Sequence, residues 1–413
     1  MTWSAAHLLS APHRLGFFAG AAGMAASALW WGLLLLAMTA GLASPPWTVP
    51  PPLAHGLVFA FGFMPLFITG FLFTAGPRWL ALRGPPAREL LAPVLAMAAG
   101  WALAVAGFHG HEWLAAAGVA LAGVGWATVA WRFAALLRAS RERDLVHARA
   151  VTTAAAVGVA ALALAATGLA TAQWPLVRAA TLAALWGFLG PVFASVSHRM
   201  LPVFDAVTPP ALTARWPFGL LAATLAALAC TAAFEAAQAL WWPLPAAAHA
   251  ALAAVQAAAA LLLLWLARRW ARLQNLRNRL LAMLFGGFVW LGVAFALGAL
   301  SHARVAAFGE EASLGLAPLH ALAAGYLGTT LFAMATRVSA GHSGRPVAAD
   351  DVAWVLYWLA QAAALLRVGS ALWSPSAPLL LPLAACAWAA ACTGWALRYG
   401  RWLGSKAIEN RRP

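Results

Sequence analysis

The stretch Leu280-Leu-Ala-Met-Leu-Phe-Gly-Gly-Phe-Val-Trp-Leu-Gly-Val-Ala-Phe-Ala-Leu-Gly-Ala-Leu-Ser301 contains no charged side chain. As an α-helix it reaches roughly 33 Å at 1.5 Å per residue, enough to cross a hydrocarbon core of about 30 Å. Its apolar residues run continuously instead of alternating with a period of two, which excludes a barrel strand. Comparable stretches lie near 16–42, 54–75, 90–108, 113–136, 151–172, 176–197, 217–235, 244–267, 316–336, 352–372 and 377–397. The sequence therefore predicts an all-α polytopic membrane protein of about twelve transmembrane helices.

Composition agrees. Hydrophobic residues make up 64% of the chain and charged residues 9%, against about a quarter charged in a soluble domain. So few charges cannot cover a water-facing surface, whereas a lipid-facing surface needs none. The 35 Gly and 25 Pro are compatible with this much helix because neighbouring helices re-satisfy freed backbone groups in a membrane. The first stretch is too long for a signal-peptide core and no small-residue cleavage site follows it, so it reads as a retained span. With no long linker or coiled coil, residues 1–413 read as one transmembrane domain.

Orientation follows from Lys and Arg. With the N-terminus in the cytoplasm and sides alternating, only Arg178, Arg304 and Arg367 of the 26 Lys and Arg fall on the far side. Both termini are thus expected to be cytoplasmic. The net charge of +15 is then an orientation signal and an attraction to the anionic bilayer surface, and it leaves no role for nucleic acid. Cys230, Cys386 and Cys392 sit inside spans without CxxC spacing and read as inert thiols.

Histidine carries the chemical information, because an ionisable residue in a span marks a functional candidate. His55 opens the second span and His320 the tenth, both at the far side. Gly62 follows His55 on the same helical face, and Ala323 and Ala324 follow His320, so both faces are expected to leave room for a flat prosthetic group. Neutral imidazole is a common ligand of haem iron and also suits copper. His109 and His111 share the short loop Phe-His-Gly-His-Glu, which could hold a first-row metal or form a solvated turn. His302 could complete an outer site, and His249 reads as a packed helix-end residue. On the cytoplasmic side, His198 and Arg199 lie in Ser-His-Arg-Met-Leu-Pro-Val-Phe. Arg337, His342 and Arg345 lie in Ala-Thr-Arg-Val-Ser-Ala-Gly-His-Ser-Gly-Arg-Pro. Arginines there could pair with haem propionates or an anionic headgroup.

The second-span segment Ala-His-Gly-Leu-Val-Phe-Ala-Phe-Gly-Phe…Gly-Phe-Leu-Phe-Thr-Ala-Gly-Pro-Arg-Trp resembles the signature of the NnrS family. The segment Leu-His-Ala-Leu…Gly-Tyr-Leu-Gly-Thr…Met-Ala-Thr-Arg-Val-Ser-Ala-Gly-His-Ser-Gly-Arg-Pro resembles that family's most distinctive motif. The resemblance implies a bacterial inner-membrane protein carrying haem and copper, linked to denitrification, nitric oxide and nitrosative stress. It makes His55, His320, His342, Arg337, Arg345 and Arg199 the cofactor candidates, with His198, His109, His111 and His302 as further metal candidates. The second-span motif of the family has a second His and a Glu where this chain has Leu53 and Gly56. No adjacent His-His pair of the haem–copper oxidase or respiratory NO reductase type is present, which counts against that enzyme class, and whether NO is turned over is left open. Two competing readings are a twelve-span secondary transporter, with helix breaks at Gly62–Pro65 and Gly190–Pro191, and a cofactor-free assembly partner of a respiratory complex.

Overall fold

The computed structural model describes residues 3–200 and 218–406. Pro202, Arg215, Arg411 and Arg412, which entered the orientation and motif readings, lie outside the described residues. Among the described residues eleven helices are long and apolar enough to cross a membrane. In chain order, α1 is Pro12–Thr39, α2 Pro51–Trp79, α3 Ala87–Gly110, α4 Glu112–Ala139, α5 Val146–Ala170 and α6 Trp174–Met200. After them come α7 Phe218–Trp241, α8 Ala246–Trp270, α9 Arg279–Phe308, α11 Asp351–Leu372 and α12 Ser374–Leu403. Between α9 and α11, helix α10 runs without interruption through Ala317–His320, Ala321–Gly328 and Thr329–Gly341. It occupies the expected tenth span, and its His, Tyr, Gly and Thr residues make it the most polar of the set.

Helix starts follow local chemistry. Proline, which needs no donor in a first turn, opens α1 and α2 and sits at the start of α6. The side chains of Asn278 and Asp350 accept from Leu281 N and Ala353 N, capping α9 and α11. Two helices are irregular where the sequence places Gly and Pro together. In α2 the first half ends at Phe61, Gly62 caps it, and the second half starts at Met64. In α6 a π-helical turn, Ala184–Leu189, leads into Gly190 and Pro191. Pro191 cannot donate to the preceding turn, and a π-bulge is a usual way to absorb that loss. In both α2 and α6, 89% of the most apolar window is buried, against 22% in α12. Irregular backbone is thus shielded by protein, as a membrane requires.

The chain forms two compact units. One comprises Met1–Ala184, Ala335–Val347 and Cys392–Pro413, the other Leu185–Met334 and Ala348–Ala391. In the first, α1 meets α2 at glycines: a Cβ on Gly16 would lie 2.5 Å from Gly70 N and 2.8 Å from Leu66 O. Such backbone-to-backbone contact is how membrane helices gain dispersion energy without a hydrophobic drive. Arg14 is buried at the start of α1 and donates from Nη1 to the carbonyls of Leu403, at 2.9 Å, and Ser405. A guanidinium thereby satisfies carbonyls exposed where α12 ends. The second unit has a buried polar chain. Trp290 Nε1 donates to Gln361 Oε1 at 2.8 Å, Gln361 Nε2 to the Tyr357 hydroxyl at 2.6 Å, and that hydroxyl to the Met283 carbonyl at 3.2 Å. All of these polar atoms find partners, so the chain locks α9 to α11 at low cost.

Candidate functional site

In the second unit, His320 closes the first turn of α10 and is 9% exposed. Its Nδ1 lies 2.9 Å from the carbonyl of Leu316. A carbonyl only accepts, so Nδ1 carries the proton and Nε2 carries the lone pair. This is the tautomer that ligates through Nε2, with the backbone fixing the ring. Arg367 of α11 lies close enough to act on His320 electrostatically. The π-helical stretch Ala321–Gly328 begins at the next residue, and such turns concentrate at functional sites. The expected room beneath His320 is taken up differently. A Cβ on Gly325 would strike the Trp290 ring at 2.5 Å, and one on Gly328 would meet Trp388 at 2.7 Å. Tryptophans fill these gaps.

In the first unit, His55 stacks on Trp31 with ring centroids 4.3 Å apart and contacts Phe59 at 4.4 Å. Gly62 does not provide the space expected beside it. A Cβ there would lie 2.5 Å from the Val58 carbonyl oxygen, because Gly62 ends its half-helix. The glycine serves the break in α2.

Five candidates belong to the arginine-rich helix ends. His342, just past α10, lies face to face with His13 of α1, with centroids 4.2 Å apart and planes tilted by 33°. Burial, then the charges of Arg78 and Arg14, hold the His342 imidazole below the ordinary histidine range. Arg345 places its guanidinium 4.3 Å from the Trp402 ring centroid, and its Nη1 is buried without a hydrogen-bond partner. Arg337 is half-buried in α10, and Arg199 is half-buried at the end of α6. In the second unit, His198 stacks on Phe218 at 6.0 Å.

The remaining metal candidates separate clearly. His109 uses both ring nitrogens on protein: Trp30 Nε1 donates to its Nε2 at 3.0 Å, and its Nδ1 donates to the Pro46 carbonyl at 3.0 Å. His111 caps α4, accepting from Trp113 N at 3.2 Å. His302 on α9 meets a residue that the sequence reading set aside, His249 on α8. Their Nδ1 atoms lie 3.0 Å apart. Glu310 Oε1 lies 3.5 Å from His249 Nε2, and Glu235 Oε1 lies 3.5 Å from His302 Nε2. The signal was available in the sequence. α8 and α9 are consecutive helices joined by a short turn, and the two histidines sit at nearly equal distances from it. Among the described residues, no group of three or more His, Cys, Asp and Glu is disposed to hold a metal ion.

The fold and these histidine-bearing helix ends define a multi-pass, all-α membrane protein whose ionisable groups gather at a few helix termini. The profile of the NnrS protein family matches residues 7–406, which includes every candidate above. The chain belongs to the NnrS family and is a multi-pass protein of the bacterial inner membrane. None of the curated proteins compared with it matches the chain.

Proposed function

We propose that this protein binds haem in the inner membrane and acts in nitric oxide metabolism and resistance to nitrosative stress, with His320 as the residue that would hold the iron. The observation that carries the reading is the His320 Nδ1–H hydrogen bond to Leu316 at 2.9 Å. It holds the ring in the ligating tautomer of a buried imidazole, a donor of the kind haem iron takes, while Trp290 and Trp388 pack against the small residues beneath it, so haem entry would require these rings to move. His55 with its Trp31 stack, and His342 with Arg337, Arg345 and Arg199, are second-rank candidates.

When bound, haem would supply an iron centre able to bind NO. The protein's own groups set the conditions. The Leu316 carbonyl keeps the proton on Nδ1 and raises the basicity of Nε2. Arg367 offers a positive charge suited to a carboxylate-bearing group near His320. Burial excludes water, while NO, small and apolar, reaches such a site through lipid. With cytoplasmic termini, His320 and Arg367 lie near the far face.

The broken helices α2 and α6 would also suit a secondary transporter, and colour separates the readings. A transporter or assembly partner without a cofactor purifies colourless. The test is NO addition to detergent-purified, dithionite-reduced protein. A shift of the haem bands in wild type that is lost in His320→Ala supports the proposal, and a colourless wild type from haem-replete cells refutes it.

A further inference from the structure

In the first unit, the start of α1 meets the ends of α10 and α12, and two arginines there share one indole. The guanidinium carbon of Arg345 lies 4.3 Å from the Trp402 ring centroid, and that of Arg398 lies 5.1 Å from it. Tyr399 packs on Trp402 at 4.6 Å and sits 5.6 Å from the Arg398 guanidinium. The turn after α10 sets the direction of Arg345. Ser343 Oγ donates to the Ala340 carbonyl at 3.0 Å, Gly344 takes φ of +71°, and Arg345 N returns to Ala340 O at 3.3 Å.

This arrangement is unfavourable by itself. Burial, then the charge of Arg398, disfavours the charged form of Arg345. Its Nη1 is buried without a hydrogen-bond partner, and a guanidinium cannot shed its proton to relieve the strain. An arginine placed only for orientation would extend its head into water, whereas Arg345 lays it on a ring. At the same helix end His13, 4% exposed, also has a buried Nδ1 without a partner. Arg14 is committed to the carbonyls of Leu403 and Ser405. The group that would satisfy Arg345 is an acceptor with negative charge.

We propose that Arg345 and Arg398, seated on Trp402, bind the phosphate of an anionic phospholipid headgroup. A planar guanidinium matches phosphate with two parallel N–H bonds. Tryptophan belongs at headgroup depth, where one edge is wet and the ring is not. The source is lipid because α12, which carries Arg398 and Trp402, runs along the bilayer. Only 22% of its most apolar window is buried, and Leu397, beside Arg398, is exposed. An acyl chain thus has an apolar flank to follow. The orientation set by Lys and Arg puts this end at the cytoplasmic leaflet, whose anionic surface supplies the ligand. This assignment is independent of His320 and of haem.

The test uses full-length protein delipidated in detergent and then titrated with phosphatidylglycerol or phosphatidylcholine, read as lipid bound per chain by native mass spectrometry and as thermal midpoint. Wild type is expected to retain phosphatidylglycerol where phosphatidylcholine is lost, with a raised midpoint. Arg345→Gln should weaken that binding about tenfold or more, the effect of losing a charged hydrogen bond. Arg345→Lys, which keeps the charge without the fork, should lose less. Arg141→Gln, at an exposed arginine between α4 and α5, should bind like wild type. The two-lipid comparison in wild type stands even if a variant fails to fold. Equal retention of both lipids by wild type, or undiminished phosphatidylglycerol binding in Arg345→Gln, overturns the proposal. So does inorganic phosphate that displaces the lipid and raises the midpoint equally, which would assign the site to a free anion.

Discussion

Two histidine pairs, one in each compact unit, show how little a residue type says before its neighbours are known. His13 and His342 meet face to face among arginines, 4.2 Å between centroids. His249 and His302 meet edge to edge between glutamates, 3.0 Å between nitrogens. Stacked faces direct lone pairs away from each other, and surrounding guanidinium groups repel a further cation. Opposed edges share a nitrogen–nitrogen hydrogen bond, flanked by carboxylates. The first pair is suited to packing beneath an arginine-rich helix end, the second to joining α8 to α9.

The comparison breaks most sharply on the buried nitrogen contact. His302→Ala leaves His249 Nδ1 buried without its partner, which adds about 1–3 kcal/mol to the loss of the ring itself in a detergent denaturation series, whereas His13→Ala removes only a ring-face contact and should cost less. Equal losses from both pairs would remove the distinction.

The next effect concerns what holds the arginine-rich end together. Arg14→Ala leaves the carbonyls of Leu403 and Ser405 without their donor. A charged hydrogen bond contributes about 1.5–3 kcal/mol, so denaturation in detergent should show a loss of that order or somewhat more. Arg14→Lys should recover part of it. A neutral result would mean that α12 is capped by other groups.

Packing of α1 on α2 comes next. Gly16→Ala puts a methyl against the backbone of Gly70, not against a side chain that can rotate away. Overpacking of this kind costs about 1–3 kcal/mol, visible as a lowered thermal midpoint. Gly41→Ala makes a poor control, because Gly41 has φ of +67°. Gly110 has open space around its Cβ position and serves better.

The smallest effect is pH dependence at His342. Burial and the charges of Arg78 and Arg14 lower its affinity for protons in the folded state. The unfolded chain, titrating near the ordinary value of about 6.5, then binds more protons between the two values. Stability is full above about 6.5 and falls as pH drops through that window. His342→Gln should flatten this slope in a denaturation series from pH 7 to 5, and an unchanged slope would place its origin elsewhere.

Much of the fold was legible because lipid imposes a simple rule. A span must be long, apolar and internally hydrogen-bonded, and the Leu280–Ser301 stretch states this openly. Even α10, diluted by His320, Tyr326 and its threonines, was readable by length. Gly62 shows where the reading failed. A glycine seven residues after a histidine suggests room for a ligand, but the same residue also ends a helix, and only the backbone decides. At Gly325 the space existed but a tryptophan from another helix, Trp290, fills it. His302 was singled out without its partner, although the short turn between α8 and α9 already placed His249 opposite it, 53 residues away in the chain. The hydrogen bond of His320 to Leu316, by contrast, is local, four residues back, and was within reach of the sequence. Arg367 was counted only as a minority charge, though its place beside His320 gives it a chemical use.

The central claim, that His320 and not another histidine holds haem, is tested most directly by haem content per chain. Wild type, His320→Ala, His55→Ala and His342→Ala would be purified in parallel from haem-replete cells and assayed as the pyridine haemochrome. The account predicts that His320→Ala alone loses haem, with His55→Ala and His342→Ala near the wild-type ratio. Full haem in His320→Ala, with loss in either of the other two, would contradict it.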